Sequence, residues 1–350
     1  MPDLEQIQQY DTKRMLPLLQ AFWKQCRHAS EIADDFQWER QREGLPNHVV
    51  IAGVGGSAIG GDLAKAVLAD QSPVPILVNR NYTLPAFISN RTLLIAVSYS
   101  GNTEETLQTV ETAHAKGAEI IAITSGGQLQ RFAEKYHLPC IRIPVGQQPR
   151  GALGYLFIPI LAILNRLGCA PHFDFHGDLK ETVELLAQSA ENFAPHVSDS
   201  LPKQLARQLY GKLPIIYAPQ ELHAVAVRWT GQITETSKSL AYCNVYPEMN
   251  HNEIEGWKYP PNLTRQCHVV QLRDSAAHPQ TQRRMDITAE LIREHAAGIT
   301  EVHSQGESFL ARIFSLLAIV DWTSFYLAIL YAQDPPPIDR IHELKRRLAQ

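Results

Sequence analysis

The chain lacks the residue patterns of a disulfide framework, a zinc ribbon or a nucleic-acid-binding surface. Its five cysteines are odd in number and scattered without a CxxC pair, which argues against both kinds of cysteine site. An excess of one charge is also missing, because 32 lysines and arginines face 36 acids and leave a formal net charge of −4. A weakly acidic chain lacks the electrostatic footprint of a duplex-binding protein. The 14 histidines are spread along the chain and give little support to a metal-dependent enzyme. We therefore expect neither a nucleic-acid partner nor a metal.

Long uninterrupted apolar runs and a signal peptide are missing as well. The N-terminus is polar and acidic. The apolar stretch Gly151–Asn165 is short and contains Pro159, and Phe309–Ala332 is interrupted by Arg312 and Asp321. A membrane-spanning helix needs about 20 predominantly apolar residues with few or no charges. Both stretches are therefore predicted to be buried core helices, and we expect a cytoplasmic protein without a membrane partner.

The chain does contain short apolar runs that alternate with segments of helical pattern. The 350 residues correspond to about two domains, and 45% of them are hydrophobic. Strands that alternate with helices imply a parallel sheet with helices on both faces. The predicted strands are residues 49–54, 75–78, 92–98 and 120–124, followed in the second half by 213–218, 268–272 and 299–303. The order of these elements predicts two α/β halves.

The organisation along the chain is predicted in four parts. Residues 1–44 form an N-terminal helical segment, 45–170 the first domain, 171–202 a connector, and 203–350 the second domain with C-terminal helices. The helical segment has a predicted apolar face made of Leu16, Leu18, Leu19, Phe22 and Trp23.

The first chemical motif is the glycine-rich run Gly53–Gly61, which follows a predicted strand and opens a helix. Glycines allow close backbone approach, and a helix N-terminus offers N–H groups to an anion, so Gly55, Gly56 and Ser57 are candidate phosphate ligands. A dinucleotide site competes with this interpretation, but the next strand ends without the acid that holds the ribose. Arg80 could serve a 2′-phosphate, which keeps an NADP site open. A tight turn that binds nothing is a further alternative.

The second motif, Ser98–Thr106, also joins an apolar strand to a helix. The hydroxyls of Ser98, Ser100 and Thr103 lie close in sequence around a glycine, and hydroxyls with helix N-terminal amides make a phosphate cradle. An N-terminal capping box explains the same residues, and both interpretations can hold together. Two such loops at the ends of successive parallel strands converge on one crevice, where α/β proteins bind ligands.

The sequence GGS followed by SYSGNTEET resembles the sugar isomerase (SIS) domain, which binds phosphosugars. Further segments follow in order, namely PRGALG from Pro149, TETSK from Thr234, EMNHNEIEGW from Glu248 and IHELK from Ile341. Together they are similar to the bifunctional phosphoglucose/phosphomannose isomerase family from about residue 45 to 348. The resemblance implies two SIS-type, doubly wound parallel-sheet (flavodoxin-like) subdomains. It also implies an aldose–ketose isomerase of glycolysis and gluconeogenesis that needs no cofactor.

The resemblance also implies roles for single residues. Glu235 matches the base that moves the proton between C2 and C1, and Arg150 matches the group that stabilises the enediolate. His251 matches the histidine that opens the sugar ring, which in the family comes from the neighbouring subunit of a homodimer. Lys345 matches a C-terminal lysine that assists ring opening, although charge compensation at a helix end explains a lysine there equally. A surface glutamate and a structurally satisfied histidine are the ordinary alternatives for Glu235 and His251.

One departure concerns the choice between C2 epimers. The family often has a threonine before its last helix, and this chain has Pro336 in that region, which puts activity on mannose 6-phosphate in more doubt than activity on glucose 6-phosphate.

A second function class also stays open, because SIS domains occur in sensors that bind phosphosugars without converting them. Such sensors usually carry a DNA-binding domain, and residues 1–44 are too short and too acidic to form one.

Overall fold

The computed structural model describes residues 4–39 and 43–348. The described helices and strands, in chain order, are α1 (Leu4–Tyr10), α2 (Met15–Gln20), α3 (Phe22–Asp35), β1 (His48–Ala52), α4 (Gly56–Val67), β2 (Ile76–Asn79), β3 (Thr92–Ser98), α5 (Glu104–Ala115), β4 (Glu119–Thr124), α6 (Gly127–Lys135), β5 (Cys140–Arg142), α7 (Leu153–Arg166) and α8 (Phe175–Asn192). They continue with α9 (Leu201–Leu209), β6 (Leu213–Pro219), α10 (His223–Thr236), β7 (Tyr242–Tyr246), α11 (Pro261–Thr264), β8 (Cys267–Arg273), α12 (Pro279–Ile292), β9 (Gly298–His303), α13 (Phe309–Leu330) and α14 (Asp339–Leu348).

The chain divides into two compact units. Unit I is Phe22–Val183, and unit II combines Met1–Ala21 with Glu184–Gln350. The predicted N-terminal segment is thus split, because α1 and α2 belong to unit II and α3 to unit I. Most of the predicted connector is helical, since α8 covers it, and the unit boundary falls within that helix. The four-part division by residue number stays a prediction.

Unit I is built on a five-stranded parallel sheet in the order β2-β1-β3-β4-β5. This is the flavodoxin-like order, whose switch point lies between β1 and β3, where the carboxyl ends of the strands open a ligand crevice. The central strand β3 is buried along its whole length, as its continuous apolar sequence predicts. The two candidate phosphate loops follow β1 and β3, the strands on either side of this switch point.

Unit II has a four-stranded parallel sheet in the order β7-β6-β8-β9. The two parallel sheets confirm the predicted fold class, and all the predicted strands are present. Two edge strands, β5 and β7, were not predicted from the sequence. Both are partly exposed and mix polar with apolar residues, so neither produces the continuous apolar run that identifies a buried strand.

The two apolar stretches are buried core helices, as predicted. Residues 153–164 of α7 are all buried. By length and composition, helix α13 is long and apolar enough to cross a membrane. However, 94% of its 18-residue apolar stretch is buried inside the protein. A helix that is apolar all round is expected in the core of a large domain.

The predicted apolar face of the N-terminal segment is wrong in most positions. Of its five residues only Leu19 is buried, and Leu18 is 38% exposed. The buried residues of α3 are instead Gln25, Cys26, Ala29 and Ala33, which share one helix face. The predicted face also mixed residues of α2 with residues of α3, which belong to different units.

Candidate functional site

The first candidate loop of unit I joins β1 to the N-terminus of α4. Gly55 precedes the helix with a φ of +59°, a left-handed conformation that favours glycine. Gly56 begins α4, and a Cβ atom there would lie 2.9 Å from the carbonyl carbon of Pro149 and 3.0 Å from the backbone nitrogen of Arg150. Glycine at this position therefore lets the loop lie directly against the turn that carries Arg150.

The second candidate loop connects β3 to α5 and is held by its own hydroxyls. The Ser98 hydroxyl lies 2.9 Å from the Thr103 hydroxyl and accepts a hydrogen bond from the Gly101 amide at 3.1 Å. The Ser100 hydroxyl accepts from the Asn102 amide at 3.3 Å. Ser98 is buried, whereas Ser100 is exposed. Thr103 occupies the N-cap position of α5 but makes no capping hydrogen bond, so the predicted capping box is not formed.

One hydrogen bond joins the two loops. The backbone amide of Tyr99 donates to the Ser57 hydroxyl at 3.4 Å. The N-termini of α4 and α5 therefore lie side by side at the carboxyl ends of β1 and β3. Helix N-termini carry partial positive charge and N–H groups without intrahelical partners, so this arrangement suits a dianionic phosphate.

Arg150 lies in a short 3₁₀ turn, Pro149–Gly151, before α7. It is buried, and its guanidinium donates to the side-chain oxygen of Gln148. Gln25 on α3 holds this turn in place. Its amide nitrogen donates to the Gly151 carbonyl at 2.8 Å, and its amide oxygen accepts from the Gly154 amide at 2.7 Å. No sequence pattern indicated a role for Gln25, because a lone glutamine on a helix is ordinarily a solvated residue.

The dinucleotide alternative finds no support at Arg80. The Arg80 guanidinium forms an ion pair with Asp62 of α4, so its charge is already matched by a carboxylate of the same unit. His172 and His176 have the i, i+4 spacing of a metal pair, but α8 begins at Phe175, so the two do not share a helix face. Within residues 4–39 and 43–348, no group of three or more His, Cys, Asp or Glu side chains could hold a metal ion.

Glu235 lies in the last turn of α10 in unit II and is partly exposed. A buried ion pair fixes this helix against α13, because Arg228 donates to both carboxylate oxygens of Asp321, at 2.7 and 3.0 Å. Gln232 donates to the same carboxylate at 2.6 Å. At the end of α10, the Ser237 hydroxyl donates to the Ser324 carbonyl at 2.7 Å. Glu235 is therefore presented by a rigidly anchored helix end.

His251 is exposed and ends a 3₁₀ turn, Glu248–His251. The adjoining segment is anchored by Glu253, whose carboxylate accepts hydrogen bonds from the Tyr217 hydroxyl, from the Tyr242 hydroxyl at 2.9 Å and from the Asn244 amide. Burial and the bond to Glu253 raise the pKa of Tyr242 to about 12, and the same causes raise the pKa of Tyr217 well above its usual range. Both phenols thus stay protonated donors at neutral pH.

Lys345 lies on α14, is exposed, and belongs to the basic last turn of that helix. Glu235, His251 and Lys345 thus stand on three separate elements of unit II. The structure brings together Gly55, Gly56, Ser57, Ser98, Ser100, Thr103 and Arg150 within unit I. Neither Gln25 nor Glu253 was predicted as an anchor, although Glu253 lies in the EMNHNEIEGW segment that begins at Glu248.

Comparison with known proteins identifies the family. Residues 46–156 match the model of the SIS domain, and residues 198–348 match that of the bacterial phospho-glucose isomerase C-terminal SIS domain. A bifunctional phosphoglucose/phosphomannose isomerase of Caldicellulosiruptor bescii is 46% identical over 330 residues, covering 93% of this chain and 96% of that protein. One of Aquifex aeolicus is 35% identical, covering 90% and 95%.

A solved structure supports the fold independently. A hypothetical protein from Thermus thermophilus superposes with a TM-score of 0.75 at 16% identity, covering 99% of this chain and 93% of that one. At such identity the likeness concerns the fold alone. The relatives and the two domain models together confirm the resemblance stated from the sequence, and the chain belongs to the bifunctional phosphoglucose/phosphomannose isomerase family.

Proposed function

We propose that this protein interconverts glucose 6-phosphate and mannose 6-phosphate with fructose 6-phosphate by transferring a proton through an enediolate. The observation that carries the proposal is the 46% identity to the Caldicellulosiruptor bescii isomerase along 93% of the chain. The reaction needs an anchor for the phosphate, a base, a ring-opening acid and positive charge beside the enediolate. Each need has a candidate among the side chains described above, and none requires a cofactor.

The phosphate is assigned to unit I. Gly55, Gly56 and Ser57 of the first loop and Ser98, Ser100 and Thr103 of the second are its proposed ligands. The support is the hydrogen bond from Tyr99 to Ser57, which sets the two helix N-termini side by side. Helix-terminal amides and hydroxyls bind a phosphate without a metal. Arg150, on the turn that packs against Gly56, is the proposed cation for the enediolate.

The proton transfers are assigned to unit II. Glu235 is the proposed base, which removes the C2 proton and returns it to C1. His251 is the proposed acid for the ring oxygen, with assistance from Lys345. The support for Glu235 is the anchoring of its helix, because proton transfer requires the base to be held within hydrogen-bonding reach of the carbon acid.

The principal test is a proton NMR time course with fructose 6-phosphate, without added cofactor and with EDTA. We expect both glucose 6-phosphate and mannose 6-phosphate to appear. Glu235→Gln should lower kcat by about 10²–10⁴-fold while sugar-phosphate binding, measured by calorimetry, persists. Glu221→Gln is the matched control, since Glu221 is exposed in the turn before the same helix and has no assigned role.

Two results would contradict the proposal. Activity near the wild-type level in Glu235→Gln would remove the assigned base. Tight binding of fructose 6-phosphate by the wild-type protein without any product would favour a phosphosugar sensor instead. Formation of glucose 6-phosphate without mannose 6-phosphate would limit the reaction to one C2 epimer and would point to Pro336 as the cause of that restriction.

The proposed assembly is a homodimer in which His251 serves the active site of the partner subunit. The proposed location is the cytoplasm, and the proposed metabolic role is in glycolysis and gluconeogenesis. Mixing Glu235→Gln with His251→Ala tests the sharing. If a site takes Glu235 from one subunit and His251 from the other, mixed dimers hold one intact site and should restore up to about a quarter of wild-type activity. A mixture as inactive as its components would contradict the sharing.

A further inference from the structure

Lys238 makes an unusual set of contacts beside the proposed base. Its Nζ donates three hydrogen bonds to backbone carbonyls, to Glu235 at 2.6 Å, to Pro337 at 2.7 Å and to Pro335 at 2.9 Å. An ammonium group has three donors, so all three are used. The residue is otherwise exposed, and an exposed lysine is ordinarily solvated rather than bonded three times to the main chain.

The backbone of Lys238 is also unusual. It has a φ of +58°, in the left-handed region, two residues after α10 ends at Thr236. Glycine is the residue that normally ends a helix in this conformation, since a Cβ atom costs free energy there. Lysine occupies the position nonetheless. An unfavourable backbone conformation that the surroundings enforce is a reason to look for a function of the side chain.

The three carbonyls belong to two functionally distinct segments. One is the carbonyl of Glu235 itself, at the end of α10 where the partial charge of the helix is negative. The other two flank Pro336 in the segment that leads to α14, the helix that carries Lys345. The three consecutive prolines have no backbone N–H to donate, the chain bends at Pro335 and Pro336, and the carbonyls of Pro335 and Pro337 both accept from the ammonium group.

We propose that Lys238 is a positioning residue that clamps the helix end bearing Glu235 to the Pro335–Pro337 segment. Through this clamp, Lys238 sets the distance of the base from the segment that contains Pro336 and precedes Lys345. The inference rests on the proposed function, because it assigns Lys238 to the same reaction. It adds a residue that touches neither substrate nor reacting atoms but governs where the base stands.

The consequence for catalysis is a loss of turnover rather than of binding. A base displaced by about 1 Å can slow a reaction about a hundredfold. The proposed phosphate ligands lie on loops of unit I and do not depend on the clamp. Removing the ammonium group should therefore lower kcat by about ten- to a hundredfold and change KM by less than about threefold.

The test compares Lys238→Met, Lys238→Gly and the matched control Lys116→Met. Lys116 also follows a helix, α5, and is exposed, but it has no assigned role. Lys238→Gly is the informative variant, because glycine suits the left-handed backbone while it lacks the ammonium group. The readouts are kcat, KM for fructose 6-phosphate, melting temperature, and the kinetic isotope effect with glucose 6-phosphate deuterated at C2.

We expect both Lys238 variants to remain folded, to lose kcat as stated and to show a larger isotope effect, because a misplaced base makes proton transfer more rate-limiting. Lys116→Met should match the wild type. Wild-type kcat in Lys238→Gly would overturn the inference, as would a loss that follows only the amount of folded protein with an unchanged isotope effect. Failure of the proposed function itself would show separately, as wild-type activity in Glu235→Gln.

Discussion

The buried ion pair between Arg228 and Asp321 gives the sharpest stability prediction. Their side chains are 4% and 9% exposed, and Gln232 donates to the same carboxylate. Asp321→Asn keeps the shape of the side chain but removes its charge. It also replaces one acceptor oxygen with an NH₂ group, which turns a donor toward the donors of Arg228 or Gln232.

The magnitude follows from the loss of a counter-charge in a buried site. Removing one partner of a buried, hydrogen-bonded pair costs about 3–5 kcal/mol, because the other charge stays desolvated. For a unit of roughly 150–250 residues, each kcal/mol corresponds to about 2–4 °C in melting temperature. We therefore expect Asp321→Asn to lower the melting temperature by about 6–20 °C. Because α10 carries Glu235, kcat should fall as well.

The assay is urea and thermal unfolding followed by circular dichroism, with two controls. Asp199→Asn removes an exposed ion pair, Arg207 with Asp199 at 2.6 Å, and should cost less than about 1 kcal/mol. The triple variant Arg228→Met, Gln232→Leu, Asp321→Leu removes the whole polar group and should be far more stable than Asp321→Asn. A cost below about 1 kcal/mol for Asp321→Asn, or a triple variant less stable than Asp321→Asn, would contradict the predicted penalty for a buried charge without its counter-charge.

Three further predictions concern the loops, the pH dependence and the epimer choice. Gly56→Ala should raise KM for fructose 6-phosphate in steady-state assays, because its Cβ would lie 2.9 Å from the Pro149 carbonyl carbon and would push the first loop away from the turn that carries Arg150. Burial, with a smaller contribution from Lys212, lowers the pKa of His268 below 6.5, so the unfolded state binds more protons at acid pH. The free energy of unfolding of the wild type should therefore fall relative to that of His268→Gln as the pH drops below 6.5, by up to about 1.4 kcal/mol per pH unit, as urea titrations would show. Pro336→Thr should raise the mannose 6-phosphate fraction of the product in the NMR time course, and an unchanged fraction would remove Pro336 from the epimer choice.

The central strands and the two loops were predictable because their signals are local. A strand buried on both faces is a continuous apolar run, and β3 is such a run. The glycines and hydroxyls that follow β1 and β3 are adjacent in sequence, and parallel strands bring their carboxyl ends to one edge. The edge strands β5 and β7 were missed because a half-exposed strand of mixed composition has no such run.

The α/β class, the two loops after β1 and β3, the family and the candidate residues could all be predicted from the sequence, since each depends on a short-range pattern or on ordered motifs. The contacts that hold those residues in place are visible only in the folded chain. Gln25 reaches the turn of Arg150, Asp321 anchors the helix of Glu235, and Lys238 joins that helix to the Pro335–Pro337 segment. These partners stand far apart in the chain, and a buried or fully bonded polar group can be recognised only when the folded chain shows what satisfies it.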